Sequence, residues 1–186
     1  MKPFWRVEPL TNQEQQLLDA ALLAHSRSAG RGNISGQVAL MASIGSGNYT
    51  ASLCAAMLTT GGVHAPLVQT HNLLNGNSEV EAKRLLDSGS KVPGWGNSFI
   101  KGKKDDLWLE VDQIICEHFH SHWMNLESVT ALVHKNGKQV FPNPSAYTAI
   151  TAIILKIPAG LSPWIFFAGR LNSWSGLICF GKDTWE

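Results

Sequence analysis

A single histidine that follows a glycine pair, His64 in Gly61-Gly62-Val63-His64, is the residue whose setting most favours chemistry. The two glycines permit a sharp turn, and the pattern predicts that the histidine stands at the start of the next helix. There the helix dipole disfavours the charged imidazolium, so the ring would act as a neutral hydrogen-bond donor. The alternative is a loop histidine without a chemical role, and this stretch by itself leaves both interpretations open.

A glycine-rich segment is a second candidate for ligand binding: Val92-Pro93-Gly94-Trp95-Gly96-Asn97. Backbone without side chains can approach a flat ligand group closely. Three lysines follow within a few residues, and their ammonium groups could meet phosphates as point charges: Lys101, Lys103 and Lys104. The alternative is a solvated loop that only precedes a helix.

A histidine-rich segment suggests metal binding, because Cys116, His118, His120 and His122 lie within seven residues. On one continuous helix His118 and His122 would be a turn apart, which is a real ligand spacing. His120 and Cys116 lie off that line, and no carboxylate or second pair completes a site. We therefore predict no metal site, and a helix end whose histidines suit the dipole.

The composition is that of an ordinary globular chain of 186 residues, 44% hydrophobic and 16% charged. The net charge is +1, and basic and acidic residues are interspersed along the chain. This distribution does not predict a basic surface for nucleic acid or for an anionic membrane. No apolar run is long enough to span a membrane, and the polar N-terminus does not resemble a signal peptide. The three cysteines lie in apolar runs and are predicted to be buried thiols, so we expect a cytoplasmic protein: Cys54, Cys116 and Cys179.

Helical periodicity dominates the chain, and no period-two run bounded by hairpin turns indicates a strand. Capping boxes are predicted at Thr11 with Glu14 and at Ser78 with Glu81. The clearest helix opens at Asp105 or Asp106 and carries apolar residues at three-and-four spacing to Phe119. Roughly nine short helices predict an all-α protein. The others run from Thr11 to near His25, Ile34 to Ile44, Asn48 or Thr50 to Leu58, Val68 to Leu74, Ser78 to Gly89, Leu126 to His134, Ser145 to Leu155 and Pro163 towards Phe180.

The order of these segments resembles the citrate synthase family, including its citryl-CoA lyase-like branch. The resemblance covers about Pro9 to Gly181 and is carried by Ala42-Ser43-Ile44-Gly45, Gly61-Gly62-Val63-His64, Val92-Pro93-Gly94-Trp95-Gly96, Pro142-Asn143 with Tyr147, and Arg170. It corresponds to the later part of a full-length member, and the family's early helices have no counterpart here.

The resemblance implies a helical fold with a large and a small domain, an active site between them, and dimers formed by large-domain helices. We divide the chain into large-domain helices at 1–75, small-domain-like helices with the CoA-type loop at 76–140, and returning helices at 141–186. Thr50–Leu58 and the helix after His64 would be interface elements. In family members the histidine matching His64 hydrogen-bonds the thioester carbonyl, and the loop matching Val92–Gly96 lies against the adenine of coenzyme A. The arginine matching Arg170 holds a substrate carboxylate.

Departures from the family pattern bear on activity. Asn97 stands where members carry a second histidine, and Ser145 stands where they carry the aspartate base. Asp105 and Asp106 lie where an arginine is usual, and a histidine expected near Ser28–Gly30 is missing. The resemblance therefore implies a CoA-type cleft with an eroded catalytic set, unable to make citrate by the usual route. Two alternatives stay open: an active acyl-CoA condensing or citryl-CoA lyase-type enzyme with another substrate, and a non-catalytic oligomeric scaffold or regulatory subunit.

Overall fold

The computed structural model describes residues 8–28, 34–60, 65–97 and 100–180. Nine α-helices lie in these ranges, with two short 3-10 helices at Asp106–Trp108 and Ala159–Leu161. The same ranges contain no strand, only one isolated antiparallel bridge between Trp95 and Pro142. The all-α prediction is confirmed. The helices are α1 (Asn12–Arg27), α2 (Ile34–Ser46), α3 (Tyr49–Leu58), α4 (Leu67–Asn75), α5 (Ser78–Asp87), α6 (Leu109–His118), α7 (His120–Lys135), α8 (Pro144–Ile154) and α9 (Pro163–Phe180).

Side-chain caps fix several helix starts. At α1 the Thr11 hydroxyl accepts the Glu14 backbone N–H, and the Glu14 carboxylate accepts that of Thr11, so this predicted capping box is confirmed. The second box is wrong. The cap of α5 is Asn77, whose side chain accepts from the Val80 backbone at 3.4 Å, and Ser78 is already inside the helix.

The chain breaks between α6 and α7 at Phe119, whose φ of −133° and ψ of 46° lie outside the helical region. The Phe119 side chain packs against the hydrophobic core at this corner. His118 and His122 therefore belong to different helices, and the one-turn spacing that they would have on one continuous helix does not occur. Within the described ranges no three histidine, cysteine or acidic side chains are grouped closely enough to hold a metal ion.

Two of the three cysteines contradict the prediction of buried thiols. Cys54 on α3 and Cys179 on α9 are exposed, and Cys116 is half-buried. Apolar neighbours in the sequence do not indicate burial for these two cysteines, because the outer faces of α3 and α9 are themselves apolar. Leu58 is 84% exposed and Phe180 is 73% exposed.

The hydrophobic core has two parts. The larger joins α1 with α4–α8 around Trp108 and Ile150, and the smaller joins α2, α3 and α9 around Trp174. Helix α9 approaches α1 very closely at Gly169, where a Cβ would lie 2.9 Å from the Leu22 carbonyl oxygen. Among the helices of the described ranges, none combines the length and the hydropathy that a membrane span requires.

Candidate functional site

A cavity of about 1040 Å³ opens between α4, α5, the end of α7 and two connecting segments, 91–97 and 138–143. Its wall is apolar where Leu73, Leu86 and Val133 contribute, and polar where Asn72, Asn97 and other amide or charged side chains reach it. An apolar wall with a few polar groups is the usual composition of a small-molecule site.

The glycine-rich loop forms one side of this cavity and is tied to the segment that precedes α8. The Gly96 N–H donates to the Phe141 carbonyl at 3.0 Å, and the Asn143 N–H donates to the Gly94 carbonyl at 2.9 Å. The Asn143 side-chain amide also donates to the Gly96 carbonyl at 2.8 Å. The predicted ligand loop is therefore held by the backbone and one amide, which suits a preformed binding surface.

Gly94 and Trp95 hold the loop against neighbouring helices. Gly94 has a φ of +89°, and a Cβ there would lie 2.5 Å from Thr70 Cγ2 and 3.2 Å from Ala146 Cβ. Only glycine fits this position without strain. Trp95 is 8% exposed and donates its indole N–H to the Thr130 hydroxyl at 2.9 Å, so its ring fastens the loop to α7.

The three residues predicted to be catalytic fall in different settings. Asn97 lines the cavity beside the loop. Ser145 is buried in the first turn of α8, where its backbone N–H donates to the Asn143 side chain at 2.8 Å, and its hydroxyl bonds no other described residue. Gly61-Gly62-Val63-His64 lies outside the described residues, so the role of His64 stays a prediction.

Arg170, predicted to hold a carboxylate, is 2% exposed and lies on α9 facing α1. Its Nη2 donates to the Ser28 hydroxyl at 3.0 Å, and its guanidinium lies 4.8 Å from the centre of the Phe166 ring. Its Nε and Nη1 atoms have no hydrogen-bond partner among the described residues. Burial lowers the pKa of Arg170 to about 10. A buried cation with two donor atoms that no described residue satisfies is a setting in which an anion would be bound strongly.

Sequence reasoning missed His25, which is fully buried near Arg170. Its Nε2 lies 2.7 Å from the Thr148 hydroxyl, and its Nδ1 has no partner in the described ranges. The ring meets Trp108 edge-on, with centroids 4.7 Å apart. Burial first, and then the charge of Arg170, hold the pKa of His25 well below its usual range. The available signal was its place four residues after Ala21 on the buried stripe of α1.

The three predicted phosphate-binding lysines do not line the cavity. Lys103 pairs with Asp106 at 2.7 Å, and Lys101 is exposed. Lys104 bonds Asp112 at 2.8 Å and Glu127 at 3.0 Å. Burial lowers the pKa of Lys104, but the two carboxylates outweigh burial and raise it overall.

Solved structures provide the decisive comparison. The chain superposes on citryl-CoA lyase from Hydrogenobacter thermophilus with a TM-score of 0.81 over 96% of its length, at 20% identity. The chain has the citrate synthase-like fold. Its likeness extends to citrate synthase from Thermotoga maritima, with a TM-score of 0.75 at 19% identity over 91% of this chain. ATP citrate lyase from Methanothrix soehngenii, in complex with citrate and coenzyme A, gives a TM-score of 0.76 at 16% identity over 95% of this chain.

This citrate synthase-like chain spans 73% of the citryl-CoA lyase, 49% of the citrate synthase and 32% of the ATP citrate lyase. No protein-family model and no curated protein sequence matches it. At these identities the likeness establishes the fold. The domain boundaries at 75 and 140 and the roles of individual residues stay predictions.

Proposed function

We propose that this citrate synthase-like protein binds coenzyme A or an acyl-CoA in the cavity beside the Val92–Gly96 loop. The observation that carries the proposal is the cavity itself, formed by a glycine loop tied in place by Asn143. Its volume of about 1040 Å³ lies just above the range of about 300–1,000 Å³ that is typical of ligand sites. A solved protein of this fold holds citrate and coenzyme A, which supports the ligand class.

We further propose that this site does not make citrate by the usual route. Removing an α-proton from a thioester needs a general base, whose help is worth about 10²–10⁴-fold. Asn97, on the cavity wall, carries no titratable proton. The Ser145 hydroxyl hydrogen-bonds no base among the described residues, so it gains no activation there.

One observation favours the alternative of an active enzyme with another substrate. Two donor atoms of buried Arg170 have no partner among the described residues, and a substrate carboxylate could satisfy them. In that case the reaction would remain an acyl-CoA condensation or a citryl-CoA lyase-type cleavage, with His64 polarising the thioester as the resemblance implies.

The apolar outer faces of α2, α3 and α9 favour a second copy of this chain as partner. Residues 34–60 contain no charged residue, and the one charge on α9 is the buried Arg170. Depletion of charge combined with exposed large side chains is characteristic of an interface core. Those on the three helices include Met41, Ile44, Leu58 and Phe180. We therefore propose a homodimer built on these helices.

Isothermal titration calorimetry of the full chain with coenzyme A and acetyl-CoA tests the ligand. The expected result is one-site binding of both. Incubation with acetyl-CoA and oxaloacetate, or with citryl-CoA, followed by mass spectrometry, tests the chemistry, and no product above the buffer control is expected. Citrate formation or citryl-CoA cleavage that disappears in His64→Ala would replace the non-catalytic proposal with the active-enzyme alternative. Absence of binding would reject the ligand.

A further inference from the structure

Two lysines that lie far apart in the sequence reach the rim of the cavity together. Lys91 directly precedes the glycine loop, and Lys138 follows the end of α7. Both side chains are exposed. Neither ammonium group forms a hydrogen bond or an ion pair with any described residue. The cavity rim thus carries two cations that no carboxylate of the described ranges neutralises.

The one carboxylate that the described residues place on the rim is already engaged. Glu81 accepts two hydrogen bonds from Arg84, at 2.8 Å from Nε and 2.6 Å from Nη2. The hydrogen bond from Arg84 lowers the pKa of Glu81, so this side chain stays ionised and paired. The unpaired charge at the rim is therefore positive, in contrast to the neighbourhood of Lys104, where two carboxylates occupy the ammonium group.

The chain is held by a backbone hydrogen bond at Lys138 and by the buried neighbour of Lys91, while both lysine side chains are exposed. The Lys138 N–H donates to the Val133 carbonyl at 3.2 Å through a turn in which Gly137 has a φ of +79°. Lys91 adjoins Val92, which is 5% exposed. Fixed attachment points with flexible ammonium groups suit the binding of phosphate oxygens as point charges.

We propose that Lys91 and Lys138 bind the phosphate groups of the CoA-type ligand. The inference rests on the proposed function, and it replaces Lys101, Lys103 and Lys104 as the predicted phosphate contacts. Both lysines border the cavity, whereas the other three do not. The apolar wall formed by Leu73, Leu86 and Val133 would then hold an uncharged part of the same molecule.

Calorimetric titrations with coenzyme A, 3′-dephospho-coenzyme A and pantetheine test this assignment. The variants are Lys91→Ala, Lys138→Ala, the double variant, and Lys91→Arg and Lys138→Arg, which keep the charge. Lys101→Ala, an exposed lysine off the rim, is the matched control. Circular dichroism and thermal melts confirm that each variant folds.

Each rim alanine variant should weaken coenzyme A binding about threefold to tenfold, with recovery in the arginine variants and no change in the control. Pantetheine, which has no phosphate, should bind every variant equally. A loss seen with coenzyme A alone assigns a lysine to the 3′-phosphate, and an equal loss with 3′-dephospho-coenzyme A assigns it to the diphosphate. Binding of coenzyme A by the double variant within twofold of wild type would overturn this inference alone. An equal loss for pantetheine would also overturn it, and no binding by the wild-type protein would reject the proposed function with it.

Discussion

Replacing Gly94 with alanine should destabilise the protein strongly, because this position combines an unusual backbone angle with a close contact. The φ of +89° costs a residue with a Cβ about 1–3 kcal/mol. The added methyl group would lie 2.5 Å from Thr70 Cγ2 and 3.2 Å from Ala146 Cβ, and such overpacking costs about 1–3 kcal/mol more. We expect the free energy of unfolding to fall by about 2–6 kcal/mol in total.

Gly102→Ala is the matched control. Gly102 has a φ of +71°, but its new methyl group would meet no neighbouring part of the described chain within 4 Å. This variant should lose only the backbone contribution, about 1–3 kcal/mol. Chemical denaturation followed by circular dichroism measures both variants against wild type. The difference between them isolates the steric contribution of Thr70 and Ala146.

A second substitution locates the clash. Thr70→Ser removes Cγ2 and keeps the hydroxyl that donates to the Pro66 carbonyl at 2.6 Å. In the background of Gly94→Ala it should restore about 1 kcal/mol or more, whereas alone it should be mildly destabilising. If Gly94→Ala and Gly102→Ala lose the same stability within about 0.5 kcal/mol, the close-packing argument for the loop is refuted.

Three further predictions concern charge and surface. The pKa of His25 in the folded protein lies below its unfolded value near 6.5, so the unfolded state binds protons more readily. The free energy of unfolding should therefore fall as the pH drops from about 7 to 5, by up to about 1.4 kcal/mol per pH unit. His25→Gln should flatten this pH dependence, as measured by denaturation curves. Lys104→Met leaves Asp112 and Glu127 without their shared cation and should cost about 1–3 kcal/mol, whereas Lys103→Met at an exposed pair should cost less than about 1 kcal/mol. Sedimentation velocity should show a dimer for the wild type and a monomer for Met41→Lys; a Met41→Lys dimer of unchanged stability would contradict the proposed interface.

Local signals in the sequence predicted most of the helices but not every end. The Thr11 capping box could be predicted because both partners lie within one turn. Asn77 and Ser78 are adjacent cap formers, and local preference cannot decide between them. The break at Phe119 was missed because the apolar spacing continues through the corner. The packing of the Phe119 ring against the core is a tertiary contact that this local pattern does not reveal.

The candidate site was predictable where it is continuous in sequence. The glycine loop from Val92 to Asn97 is predicted from sequence to be a ligand surface, and the structure shows that it borders the cavity. Lys138 could not be associated with that loop, because the pairing of Gly96 with Phe141 that places it there is tertiary. His25 and Arg170 are likewise brought together only by the packing of α1 on α9.

The hydrogen bonds that hold the glycine loop also connect the two ends of a long segment of the chain. Asn143 and Gly96 are 47 residues apart, and α6 and α7 both lie on the segment between them. The loop can therefore open only if the ends of this segment separate, which couples the ligand surface to the stability of a two-helix unit. A molecule that binds the closed loop would slow hydrogen exchange throughout α6 and α7, well beyond the residues that it touches.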